Sequence, residues 1–132
     1  MEKINLWMDK KEKKIDPVLF SDKAESLAKE LAGEANKKIN KISQIRKFYD
    51  EVVRLDMAAK NKNSNWDSIL PMINMIIAKT AYAKGRNLIS ENFLLFIKSS
   101  IKQIETSEDL AVFTNFFEAF YGFYKLYCPD NK

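Results

Sequence analysis

The stretch TSEDLAVFTNFFEAFYGFYKLY, from Thr106 to Tyr127, decides the fold of this chain of 132 residues. Thr106 with Asp109 three residues later resembles the capping box that begins a helix. Aromatic side chains then cover almost the whole circumference of the helix, and a helix that is apolar all round must be buried on every side. These side chains belong to Phe113, Phe116, Phe117, Phe120, Tyr121, Phe123, Tyr124 and Tyr127. We predict a central helix that ends before Pro129. A face against another subunit is the alternative, because Phe and Tyr are favoured at interface cores.

Four further segments with a one-sided apolar stripe precede this helix. We predict helices from about Ser21 to Gly33, from about Asn40 to Lys60, from Trp66 to about Ile89, and after the capping residue Ser90. No strand alternation and no internal repeat occurs. The predicted fold class is therefore all-α, a compact bundle of about five helices.

The N-terminal residues 1–20 are predicted to be a loosely structured segment, and residues 21–132 a single helical domain. The run Lys10–Lys14 is highly charged, and Pro17 stops any helix that begins there. Ile4, Leu6, Trp7 and Met8 are too apolar for an idle tail. We expect them to dock on this subunit or on another one.

Composition argues against an enzyme. The chain has no histidine, so it lacks the commonest general base and the commonest zinc ligand. It has neither a glycine-rich phosphate loop nor a pair of closely spaced cysteines. Its carboxylates fit solvated helix faces or helix caps, which leaves a carboxylate-based enzyme as a weak third reading. We expect no cofactor and no metal.

The cellular location is predicted from what the sequence lacks. The N-terminus has no apolar core of a secretory signal, and no stretch is long and apolar enough to span a membrane. The single cysteine, Cys128, fits a reducing compartment. The expected location is cytoplasmic, with no membrane partner.

Positive charge is concentrated in the middle of the chain. Between Lys37 and Arg86 there are eleven Lys and Arg residues against four Asp and Glu, whereas the segments on either side are slightly acidic. Such a basic middle favours a polyanionic partner. A merely solvated surface is the alternative.

The second and third predicted helices carry the candidate basic residues. Arg46, Lys47 and Arg54 form a ridge opposite the apolar stripe of the second helix, although Asp50 could simply pair with the two arginines. On the third helix, Lys79, Tyr82 and Arg86 share one stripe, which Met72 and Met75 extend, while Lys84 points nearer the core. Cations around an aromatic ring suit RNA, where bases stack while Lys and Arg hold phosphates.

Three blocks of sequence carry a resemblance to a known family. They are SQIRKFYDEV (Ser43–Val52), ILPMINMIIAKTAYAKGR (Ile69–Arg86) and FFEAFYGFYKLY (Phe116–Tyr127). In this order and at these separations, they resemble the small subunit of the type III-A CRISPR RNA-guided effector (Csm) complex. The similarity covers about residues 39–127. A related subunit of type III-B complexes is also small and helical, but the three blocks favour III-A.

The resemblance implies a non-enzymatic, all-helical subunit in antiviral defence. It implies that several copies stack inside the complex, beside the backbone and large subunits, along the guide RNA (crRNA) paired with target RNA. It also implies contact with the RNA backbone, without sequence preference, at Arg46, Lys47, Lys79 and Arg86. The charge argument alone adds Arg54, Lys84 and Lys41. A helical protein–protein adaptor with no role in nucleic-acid binding remains the alternative.

Overall fold

The computed structural model describes residues 2–128, and five α-helices account for most of them. The helices are α1 (Ala24–Gly33), α2 (Ile42–Lys60), α3 (Trp66–Gly85), α4 (Glu91–Ile101) and α5 (Ser107–Tyr127). A short π-helix, Leu19–Lys23, leads directly into α1. Within residues 2–128 there is no strand, only one isolated bridge between Asp9 and Lys14. The predicted all-α bundle of about five helices is confirmed.

The last helix lies in the centre of the bundle, as its aromatic residues predict. Thr106 and Asp109 form the predicted capping box at its N-terminus. Its flanks pack against α1 and α2, while α3 packs between α2 and α4. Five of its aromatic residues are fully buried, namely Phe113, Phe116, Phe117, Phe120 and Tyr124. Tyr121, Phe123 and Tyr127 are only half-buried. Tyr121 stacks on Tyr49 of α2, and the Tyr127 hydroxyl donates to Glu25 of α1.

Large rings fill the space between α4 and α5. The Phe96 ring of α4 lies 5.5–6.0 Å, centroid to centroid, from four rings of α5. Offset and tilted arrangements at this separation are the ones that aromatic pairs prefer. Aromatic packing therefore joins these two helices.

Two helix boundaries differ from the predicted ones. The second helix begins at Ile42 rather than at about Asn40, because Asn40 has the left-handed φ of 59°. The third helix ends at Gly85 rather than at about Ile89, because Asn87 has a φ of 58°. A right-handed helix cannot continue through a residue in this region. The Leu88 amide instead donates back to the Ala83 carbonyl at 2.9 Å, which closes the end of α3.

The N-terminal segment is held against the start of α5. Ile4 and Leu6 are buried in the core. The Gln103 side chain accepts a hydrogen bond from the Leu6 amide at 2.9 Å and donates one to the Ile4 carbonyl at 2.7 Å. The sequence left open whether this segment docks on its own subunit or on another one. In the structure it docks on its own helical bundle.

The carboxylate of Asp109 ties this segment to the cap of α5. It accepts hydrogen bonds from the Trp7 indole at 2.8 Å and from the amides of Glu105 and Thr106 at 2.8 and 3.0 Å. Burial works against the charged form, but these bonds and the nearby Lys10 ammonium outweigh it, so the pKa of Asp109 lies below its usual 3.8. The ionised carboxylate therefore stabilises the fold.

The lowered pKa of Asp109 predicts a pH-dependent stability. Its contribution is present above the unfolded-state pKa and is lost as pH falls through the folded-state pKa. At neutral pH, Asp109→Asn should lower the free energy of unfolding by about 1–2 kcal/mol, because hydrogen bonds to a buried charge are weakened. Urea titrations between about pH 6 and about pH 3 should show a smaller acid-induced loss in this variant. Glu108→Gln, at an exposed pair with Lys13, is the control. Equal acid sensitivity of the parent and Asp109→Asn would contradict this account.

Candidate nucleic-acid interface

Helices α2 and α3 form an antiparallel hairpin that carries most of the candidate residues. The loop between them is residues 61–65, and the Asn65 side chain caps α3 by accepting from the Asp67 amide at 3.1 Å. Each helix buries one stripe in the core, including Val52 on α2 and Ile73 on α3. The remaining surfaces of both helices face solvent, so their charged side chains are accessible.

A shared carboxylate joins Arg54 of α2 to Lys79 of α3. Glu51 accepts from the Arg54 Nε at 2.9 Å and from its Nη2, and its other oxygen lies 3.5 Å from the Lys79 Nζ. Burial favours the neutral form of Glu51, but the hydrogen bonds and charges of Arg54 and Lys79 prevail and lower its pKa. Glu51 is therefore ionised and orients both cations on one surface.

The predicted stripe on α3 is exposed along its length. Met72, Met75, Lys79, Tyr82 and Arg86 follow one another at alternating spacings of three and four residues, and all five are exposed. The Tyr82 side chain is 68% exposed, and the Arg86 guanidinium carbon lies 5.7 Å from the centroid of its ring. This separation is within the range of a cation–π contact. An open aromatic face thus lies between two cations.

The residues of the predicted ridge on α2 do not all lie on one side of the helix. Arg46 is 3.6 Å from Asp50 and lies near Tyr121 of α5. Burial raises the pKa of Tyr121, and the charge of Arg46 partly opposes that rise. Lys47 is turned from Arg46 by about 100° around the axis, and it is two turns from Arg54 on the same side. Lys47 therefore faces the α3 side of α2, whereas Arg46 faces the α5 side.

The other two candidates lie apart from this surface. Lys84 is half-buried and five residues beyond Lys79, which turns it by about 140° around α3. Lys41 is exposed at the N-cap of α2. By position, the cationic face of the hairpin consists of Lys47, Arg54, Lys79 and Arg86, with Tyr82 between the last two. We call it the α2–α3 cationic face.

Glu51 is the residue that sequence reasoning missed. Its pairing with Arg54 is an i, i+3 contact, which the sequence could have indicated. Its contact with Lys79 spans 28 positions and depends on how the two helices pack. The contact between Glu51 and Lys79 therefore cannot be predicted from the sequence pattern of either helix alone.

Within residues 2–128, no group of three His, Cys, Asp or Glu side chains is placed to hold a metal ion. No helix of this part of the chain has both the length and the apolar character needed to cross a bilayer.

Comparison with protein families identifies the chain. A family model described as Csm2 Type III-A matches residues 14–130. The chain belongs to this family. It is a small subunit of the type III-A CRISPR Csm complex, so the resemblance predicted from the three sequence blocks is confirmed. Comparisons with curated proteins and with solved structures gave no significant match. Residues 2–13, which include the buried Ile4 and Leu6, lie outside the region that the Csm2 model matches.

Proposed function

We propose that this Csm2-family subunit contacts the RNA backbone in the Csm complex through the α2–α3 cationic face. The partner RNA is the target strand paired with the guide RNA, and the contact has no sequence preference. The observation that carries the proposal is the exposed stripe of Lys79, Tyr82 and Arg86 joined to Arg54 across Glu51.

The geometry of this face suits a row of phosphates. Lys79 of α3 and Arg86, the residue at the C-cap of that helix, are seven residues apart, which corresponds to about 10 Å along the axis. This span fits phosphates one or two nucleotides apart on one strand. Lys47 and Arg54 are separated by the same distance on the adjacent helix. Base pairing between guide and target supplies sequence specificity, so the protein needs only charge and shape.

The proposal extends to the assembly and to the absence of catalysis. We propose that several copies stack along the guide–target duplex, beside the backbone and large subunits, in the cytoplasm. We propose no chemical step, because a chain without histidine lacks the usual proton acceptor for a nucleophile. Arg46, Lys84 and Lys41 are secondary candidates. They lie away from the main face but could reach a second strand or a neighbouring copy.

Paired alanine variants test this proposal. Lys79→Ala with Arg86→Ala should weaken capture of target RNA by the reconstituted complex about equally for all sequences. The slope of log K against log salt should fall by about 0.7–0.9 for each lost phosphate contact. The complex should still assemble, and the melting temperature should barely change, because both residues are exposed. Arg46→Ala with Lys47→Ala should act in the same direction. Binding is measured across a salt series.

Lys98→Ala with Lys102→Ala is the matched control, because these exposed cations lie on and just after α4, away from the hairpin face. It should leave the slope unchanged. If both hairpin pairs assemble and bind target RNA like the parent, the basic surface is only solvated. The protein–protein adaptor function would then replace this proposal.

A further inference from the structure

A groove lies between α2 and α3 beside the cationic face. Its volume is about 290 Å³, and it is open to solvent. The residues that line it are Glu51, Arg54, Pro71, Met72, Met75 and Lys79. It is close to the smallest size that small-molecule sites usually have, about 300 Å³. The groove therefore has room for one small planar group rather than for a folded partner.

The floor of the groove is apolar and unusually open. Met72 and Met75 are 46% and 55% exposed, although both are on the helix whose opposite stripe is buried in the core. Methionine is flexible and polarisable, and its sulfur makes favourable contacts with aromatic rings. Two neighbouring methionines left in water thus form a suitable surface for an aromatic ligand.

The rim of the groove is charged. Arg54 and Lys79 supply two cations, and the ionised Glu51 supplies an acceptor between them. Arginine has five N–H donors, of which Glu51 engages those of Nε and Nη2, so further donors are available to an anion. An apolar floor, two cations and one acceptor together match a base with its attached phosphate.

We infer that this groove binds one nucleotide unit whose base is unpaired. The base lies on Met72 and Met75, and its phosphate contacts the donors of Arg54 and Lys79 that Glu51 leaves available. Glu51 accepts from an amino group of the base or from a ribose hydroxyl. The base must be unpaired, because a paired base is stacked inside a duplex and cannot reach the floor. The unit can belong to an RNA strand or to a free mononucleotide. This inference rests on the proposed function only where it concerns a strand, because that strand would lie along the same face, and the bound unit would be a position at which it is not paired with the guide.

Methyl NMR of the full chain, labelled with ¹³C at its methionine methyl groups, tests the inference. The probes are single-stranded oligoadenylate, a strand of the same length without bases, and AMP. A stacked base should shift the Met72 and Met75 methyl signals upfield, whereas Met8, exposed on the N-terminal segment, should not move. The strand without bases should leave the two signals near their free positions. Met72→Leu and Met75→Leu assign the signals.

Charge variants provide the affinity measurement. Arg54→Ala and Lys79→Ala should each weaken the oligoadenylate titration by roughly threefold to tenfold, since each removes one screened cation. Lys98→Ala, the matched control, should not. If the methyl signals shift at a much lower concentration of oligoadenylate than of AMP, the bound nucleotide unit belongs to a strand. Comparable shifts with AMP identify a mononucleotide. Both results support the inference.

Other outcomes overturn the inference and are distinct from failure of the proposed function. Suppose that RNA binding depends on Lys79 and Arg86, but the Met72 and Met75 methyl signals do not respond to oligoadenylate or respond equally to the strand without bases. The inference then fails, and the proposed function stands. Shifts that appear only when other Csm subunits are added would assign the groove to a protein contact and would also overturn it. Shifts with AMP but no RNA binding at the cationic face would support the groove and contradict the proposed function.

Discussion

Replacing Phe117 with alanine is expected to lower the free energy of unfolding by about 3–5 kcal/mol, the usual range for a buried Phe→Ala change. The Phe117 side chain is fully buried at the centre of α5. Five rings surround it at centroid distances of 5.5–6.5 Å, from Tyr49 of α2, Phe93 and Phe96 of α4, and Phe113 and Phe120 of α5. The variant therefore loses contacts with three helices at once and leaves a cavity between them.

The loss is large compared with the whole stability of a small domain, which is about 5–15 kcal/mol. Urea unfolding followed by circular dichroism measures it directly. Tyr82→Ala is the matched control, because it removes an aromatic ring of similar size from an exposed position, and it should change stability by less than about 0.5 kcal/mol. If Phe117→Ala stays as stable as the parent but fails to join the complex, the aromatic helix is an interface, which was the alternative that the sequence left open.

The aromatic helix and the helix caps were predictable because their causes are local. The capping box of Thr106 and Asp109 and the caps of Asn65 and Ser90 each involve side chains two or three residues from the amide they bind. An all-round apolar helix has only one stable environment in a bundle, which is the centre. These features need no knowledge of how the other helices pack.

The arrangement of the basic residues was not predictable in the same way. Arg46 and Lys47 are adjacent in sequence, and both were assigned to one ridge opposite the core. They separate because Arg46 lies beside Tyr121 of α5, whereas Lys47 lies toward the side of α2 on which Glu51 contacts Lys79 of α3. Which helix lies on which flank follows from the packing of the whole bundle. The cationic face could therefore be predicted as a set of residues, but its membership required the tertiary fold.

The environment of Asn40 was even less predictable from the sequence, since Asn40 lies at a junction of three distant segments. It was predicted to lie near the start of the second helix, yet it is fully buried and has a left-handed φ of 59°. Its amide donates to the Leu88 carbonyl at 3.0 Å, and its carbonyl accepts from the Tyr124 hydroxyl. Its side-chain amide donates to the Ser90 hydroxyl at 2.9 Å and accepts from the Ser90 amide at 2.8 Å.

Asn40→Ala should consequently lower the free energy of unfolding by about 2–5 kcal/mol. About 1–3 kcal/mol comes from the loss of the two side-chain hydrogen bonds with the half-buried Ser90. A further ~1–2 kcal/mol comes from holding alanine in the left-handed region, which Asn tolerates better. Asn40→Gly loses the same side-chain bonds but accepts the backbone conformation, so it should be more stable than Asn40→Ala by about 1 kcal/mol. Thermal and urea unfolding of the two variants measure the difference.

Asn87→Ala separates the two contributions, because Asn87 has nearly the same φ, 58°, but is exposed. It should show only the backbone part of the loss, at most about 1–2 kcal/mol. If Asn40→Ala and Asn87→Ala were equally destabilised, the bonds to Ser90 would contribute nothing. If Asn40→Gly were no more stable than Asn40→Ala, the left-handed conformation would not matter. We expect Asn40→Ala to be the least stable of the three variants. This order follows if Asn40 has two roles: its backbone conformation turns the chain into α2, and its hydrogen bonds join that turn to the start of α4 and the end of α5.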